Sequence, residues 1–135
     1  MENMDRAPYL LPAMRFGARM GDARAVDSML LDGLHDAFSA RHSGWHTEDL
    51  VQKFGLTREE QDAYAARSHQ RATAAWANGL FADEIVSVEI PQRKGDPIIF
   101  DHDEGYRADA SLETLGALRA IECGVVTAGN ASQLS

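Results

Sequence analysis

Apolar residues are dense along the first 24 positions, at Tyr9, Leu10, Leu11, Met14, Phe16 and Met20, but Pro8, Pro12, Gly17 and Gly21 interrupt any helical or strand register there. The stretch is therefore read as an extended arm or loop. Leaving its side chains in water would cost about 25 cal/mol per Å² of apolar surface. They are expected to bury, against the domain's own core or against another subunit. From Ala25, the residues Val26, Met29, Leu30 and Leu34 recur at helical spacing, with Gly33 as the expected stop. Thr47 is the expected cap of a brief helix with Glu48 and Asp49 in its first turn, an apolar face of Leu50, Val51 and Phe54, and Gly55 as its end.

The clearest element follows. Thr57 and Glu60 form a capping-box pair, and Tyr64, Ala65, Ser68, Ala72 and Trp76 continue at helical spacing to Asn78 and Gly79. After Glu84 the period changes. Ile85, Val86, Val88 and Ile90, then Ile98, Ile99 and Phe100, flank the polar tip QRKGDP and predict a β-hairpin. Ser111 is placed to cap a short helix along Leu112, Leu115 and Leu118, and Val125 and Val126 read as a terminal strand. The expected class is α+β.

Composition narrows the function classes. The 135 residues suit one small domain, and a net charge of −8 repels nucleic acid and anionic membrane surfaces. No apolar run reaches the roughly 18 to 20 residues of a membrane span, and MENMDRAPYLLP does not read as a secretion signal. The single Cys123 makes no internal disulfide, so a reducing, cytoplasmic setting is expected.

Generic chemistry is thin. His42 and His46 have the i, i+4 spacing of a ligand pair, but Gly44 between them disfavours helix and no further ligands complete a metal site. DHDEGYRADASLE fits a calcium loop only at Asp101 and Asp103, with Tyr106 where glycine is needed and Leu112 where the bidentate glutamate belongs. Nucleophile-elbow, Walker and dinucleotide-binding patterns are missing. Cys123 reads as a small buried residue, and the Asn130-Ala131-Ser132 triplet as a chance glycosylation match. Thr127 to Ser132, rich in small and hydroxyl residues, suits either close approach of a ligand to backbone or an ordinary turn.

Taken in order, MENMDRAPYLLP, ARMGD, SMLLDGLHDAF, TEDLVQKFGLTREEQDAYAARSHQRA, EIVSVEIPQRKGDP, DEGYR, SLETLGALR and VVTAGNAS resemble the middle of the thiolase family, the acetyl-CoA C-acetyltransferases and 3-ketoacyl-CoA thiolases. The resemblance covers essentially the whole chain. It implies that residues 1–6 are a remnant of the N-terminal core domain, and that residues 7–132 are the loop domain that covers the active site. Within it, residues 7–23 would be an oligomerisation arm, and residues 133–135 would begin a core helix. An excised or truncated piece lacking most of the α/β core is thus expected.

The family's activity, by resemblance, is acyl transfer through a cysteine thioester, in Claisen condensation or thiolysis of acyl-CoA within fatty acid and lipid metabolism. Its nucleophilic cysteine, and its catalytic histidine and second cysteine, have no counterpart in this chain; Cys123 matches neither cysteine. The chain alone is therefore expected to be inactive, with no permanently bound cofactor. Acyl-CoA and coenzyme A are the implied partners, with a homo-oligomer, dimer or tetramer. Four contacts carry over: His42 beside the pantetheine arm, Arg107 near the adenine nucleotide, Thr114 where a serine often touches coenzyme A, and Ser132 on the pantetheine amide. Alternatively, Arg107 pairs with Asp103 or Asp109, and Thr114 only occupies its helix. His42-Ser43-Gly44 stands where the family commonly has HMG, which changes the lining of the acyl pocket. The other class of reading is a catalytically silent coenzyme A-binding or assembly module.

Overall fold

The computed structural model describes residues 3–121 and 124–131. Its contacts divide into two compact units. The first takes the described parts of Met1–Leu56 and Ala120–Val126; the second takes Thr57–Arg119 and Thr127–Ala131. Helices and two separate two-stranded antiparallel sheets make up the α+β architecture expected. No described helix is long and apolar enough to cross a membrane.

In the first unit the arm is more structured than its prolines and glycines suggest. One 3-10 turn at Met4–Arg6 is capped by Asn3, whose side chain accepts the Asp5 N–H, and another at Pro12–Phe16 starts on a proline and stops at Gly17, with φ 78°. Strand β1 (Tyr9–Leu10) pairs antiparallel with β2 (Val26–Asp27), Tyr9 opposite Asp27 and Leu10 opposite Val26. Ser28 ties this pair further, its hydroxyl donating to the Pro8 carbonyl at 2.5 Å. The apolar burial expected of the arm does not occur within the chain: Phe16 is 95% exposed and Met20 97%.

The helix expected from Val26 is also corrected. Val26 is in β2, where its carbonyl and amide join the ladder, and a π-helical turn spans Met29–Leu34. The Asp27 side chain opens it by accepting the Met29 N–H at 2.9 Å. Gly33 lies inside this turn, not at its end; the His35 N–H closes it on the Leu30 carbonyl at 2.8 Å.

Helix α1 spans Ser43–Phe54, starting five residues earlier than a Thr47 cap implies. The His42 imidazole caps it, so Gly44 sits in the first turn and does not break it, while the Thr47 hydroxyl donates back to the Ser43 carbonyl. Its end at Gly55, left-handed at φ 64°, is as expected. The face differs: Leu50 and Phe54 are exposed, and the buried positions are Val51 and Glu48. Glu48, 8% exposed, accepts the consecutive N–H groups of Val125 and Val126 at 2.9 and 2.7 Å. Val125 and Val126 therefore form no regular strand; a carboxylate satisfies their donors. Gly124 permits this approach, because a Cβ there would overlap the Glu48 carboxylate.

In the second unit, α2 (Arg58–Ala77) carries the predicted capping box, Thr57 with Glu60, and ends at Asn78. Its buried residues are Asp62 and Ala66, whereas Tyr64 is exposed. α2 packs on α3 (Leu112–Gly116), which Ser111 caps as predicted and which buries Leu115. The hairpin is formed by β3 (Val88–Ile90) and β4 (Ile98–Phe100), Glu89 opposite Ile99. Ile85 and Val86 are outside it, since turns run to Glu84, and both strands are exposed on both faces.

Asp62 organises this unit's buried polar centre. It is 3% exposed, receives Arg58 Nε at 2.6 Å and Asn130 Nδ2 at 3.0 Å. Arg58 Nη2 continues to the carbonyls of Leu115 and Leu118, at 2.6 and 3.0 Å. Asn130 Oδ1 in turn accepts the N–H of Thr127, a fully buried residue, at 2.7 Å. A Cβ on Gly129 would come within 2.5 Å of the Leu118 Cδ1 and 2.6 Å of the Leu115 Cδ2, so a larger residue where the turn meets α3 would have to displace these leucine side chains.

Candidate functional site

His42 stands at the start of α1, where the chain leaves a loop closed by Asp36. The Asp36 N–H bonds the Arg41 carbonyl at 2.9 Å, and His35 and His42 bridge across the loop with their rings edge to face. The Asp36 carboxylate is held below the usual range. The hydroxyl and then the N–H of Ser39 are the main causes, with the His46 charge and the Phe38 N–H adding to them against a small opposing effect of burial. Ser39 Oγ spends its proton on Asp36 at 2.7 Å and lies 2.9 Å from His46 Nε2. His46 is thus engaged with this turn.

His42 Nδ1 accepts the Gly44 N–H at 3.0 Å. An acceptor nitrogen carries no proton, so the neutral ring bears its hydrogen on Nε2 and offers one donor. The ring borders a cavity of about 350 Å³ lined by His42, Gly44, Trp45 and Ile121, all in the first unit. Beside the imidazole its wall is formed by Gly44, the Trp45 indole and the aliphatic Ile121. Gly44 keeps it open: a Cβ there would sit 3.3 Å from His42 Nδ1 and 3.6 Å from Ile121.

Arg107 and Thr114 belong to the second unit. Arg107 lies on an irregular run between β4 and α3, and its N–H donates to His69 Nδ1 on α2 at 3.1 Å. Among the described residues its guanidinium makes no ion pair or hydrogen bond, so neither Asp103 nor Asp109 takes it, and Asp103 instead accepts the Gly105 N–H at 2.7 Å. In a chain of net charge −8 this cation is free to meet an external anion or ring. Thr114 is the reciprocal half of α3's capping box, its hydroxyl accepting the Ser111 N–H at 2.9 Å. Ser132 and Cys123 lie outside the described residues. The Thr127–Ala131 stretch before Ser132 is the turn anchored by Asn130.

Sequence reasoning did not single out His69 or Asp62; it placed Glu48 only in a helix's first turn and Asn130 only in the small-residue run before Ser132. For His69 a signal exists in hindsight: His69, Thr73 and Trp76 are spaced i, i+4, i+7 on α2, one face of a helix.

An acetyl-CoA acetyltransferase of Pseudomonas aeruginosa is 54% identical over 136 aligned positions, covering 99% of this chain and 35% of that protein. A probable acetyl-CoA acetyltransferase of Mycolicibacterium smegmatis is 52% identical over the same shares. The solved structure of acetyl-CoA acetyltransferase from Syntrophomonas wolfei superposes with a TM-score of 0.88 at 45% identity, covering 96% of this chain and 33% of that one. The chain thus spans about a third of the length of the curated relatives it matches. The family described as thiolase, N-terminal domain, matches residues 1–135, and the chain belongs to the thiolase family.

Proposed function

We propose that this chain is the coenzyme A-gripping part of an acyl-CoA acyltransferase of the thiolase type, and that it performs no acyl transfer by itself. Residues 7–132 correspond in this reading to the loop domain, with 7–23 as an arm for a homo-oligomer, dimer or tetramer, in a cytoplasmic enzyme of fatty acid metabolism. The exposure of Phe16 and Met20 supports a partner for that arm. Coenzyme A and acyl-CoA are substrates here, and no permanently held cofactor is involved.

The observation that carries the reading is His42. Capping α1 through Nδ1 fixes the ring, and a fixed Nε2–H at the edge of an apolar cavity suits an amide carbonyl of a narrow, largely uncharged arm such as pantetheine. Arg107 supplies the complementary feature, an unpaired planar cation for a nucleotide ring or phosphate. Thr114 and Ser132 are the further polar contacts, Thr114 through the lone pair left over from its capping role.

The test uses His42→Asn, because asparagine is a good N-cap and keeps an acceptor for the Gly44 N–H, while losing the imidazole Nε2–H. Calorimetric titration with coenzyme A is expected to show affinity about fivefold weaker than the parent, the worth of about 1 kcal/mol of hydrogen bond. Unchanged affinity removes His42 from the site. In parallel, the chain incubated with acetoacetyl-CoA and coenzyme A is expected to give no thiolysis, and turnover above background would overturn the inactive reading.

A further inference from the structure

We infer that His69 is a positioning residue for the nucleotide end of coenzyme A, acting through the backbone of Arg107; this rests on the reading of Arg107 proposed above. The run Asp101–Ala110 has no regular hydrogen-bond ladder; the Ala110 N–H closes a turn on the Arg107 carbonyl at 3.2 Å, but that bond lies within the run and does not tie it to α2. Side chains tie it there instead. His69 Nδ1 accepts the Arg107 N–H at 3.1 Å. Two turns further along the same face of α2, Trp76 lies 4.3 Å from the His102 ring, and His102 Nε2 meets the Tyr106 hydroxyl at 2.9 Å. Thr73, between them, donates its hydroxyl to the His69 carbonyl at 2.8 Å, at the level where the histidine leaves the helix.

One face of α2 therefore clamps the run on both sides of the Tyr106–Arg107 peptide. The aromatic contacts hold Tyr106 by packing, which tolerates sliding, whereas the bond to His69 is directional and fixes the amide of the residue whose guanidinium is free. A single 3.1 Å bond from an unprotonated ring nitrogen leaves the Arg107 side chain entirely available, as a contact residue requires. A lysine at position 69 has no acceptor, and a leucine none either; glutamine, whose Oε1 can take the same N–H, is the conservative replacement.

The experiment compares the full chain with His69→Leu, His69→Gln, Arg107→Ala and the His69→Leu/Arg107→Ala double variant. Each is titrated calorimetrically with coenzyme A and with pantetheine, which lacks the nucleotide. Amide hydrogen exchange at position 107 is followed separately. The expected result is about a fivefold loss of coenzyme A affinity for His69→Leu, restored in His69→Gln, with pantetheine affinity unchanged in both. Adding His69→Leu to Arg107→Ala is expected to bring no further loss, since the histidine acts only through that residue. Exchange at the Arg107 amide should be faster in His69→Leu than in His69→Gln.

If Arg107→Ala binds coenzyme A as the parent does, the nucleotide contact fails and the inference falls with it. If Arg107→Ala weakens binding but His69→Leu does not, or if glutamine fails to rescue, the positioning role alone is overturned. Should His69→Leu not fold, equal exchange at the Arg107 amide in the parent and in His69→Ala would overturn it as well.

Discussion

Asp62→Ala is expected to cost about 3–5 kcal/mol, the size observed when one partner of a buried ion pair is removed and the other charge is left in place. Asp62 is 3% exposed and its carboxylate serves two groups, Arg58 Nε at 2.6 Å and Asn130 Nδ2 at 3.0 Å. Removing it leaves a guanidinium, itself mostly covered, with only the Leu115 and Leu118 carbonyls, and releases the asparagine that orders Thr127. The loss should read as a fall in urea midpoint of about 1 M or more, given slopes of about 1–3 kcal/mol per M. Asp62→Asn, which keeps an oxygen for Asn130 but no charge for Arg58, should fall between the two. Asn130→Ala in the Asp62→Ala background should add little, because both act in one network. An Asp62→Ala chain as stable as the parent would mean the pair contributes nothing.

Glu48→Ala is the other large effect, about 2–6 kcal/mol, from adjacent part-buried and buried donors losing one charged acceptor at about 1–3 kcal/mol each. The Val125 and Val126 amides, bonded to Glu48 Oε1 at 2.9 and 2.7 Å, should lose most of their exchange protection. Glu48→Gln keeps an oxygen in the same place and should retain much of it, at the expense of the charge-assisted part of the bonds. Protection at these two amides that survives Glu48→Ala would show that the carboxylate is not their anchor.

These two carboxylates also show where reading the chain stopped. Local signals were legible: Thr57 with Glu60, Ser111 capping its helix, Gly55 ending another, and the hairpin tip were all visible because cause and effect lie within a few residues. The start of α1 was not, since imidazole is an unusual N-cap and glycine two residues later reads as a breaker. Faces were misassigned in α1 because apolar Leu50 and Phe54 point to solvent while Glu48 points inward. A glutamate whose partners are 77 and 78 positions away leaves no trace in periodicity. At the candidate site, resemblance points to His42 and Arg107; the cavity beside one and the unpaired guanidinium of the other depend on the fold around them and leave no mark in the sequence.

The β3–β4 hairpin contributes its hydrogen bonds to no interior, both strands facing water on each side. Its tip, from Gln92 through Gly95 at φ 89° to Asp96, is accordingly where added length is cheapest. A reporter sequence spliced between Lys94 and Gly95 should leave the melting behaviour of the chain within about 0.5 kcal/mol of the parent, giving an immobilisation handle remote in sequence from both carboxylate anchors.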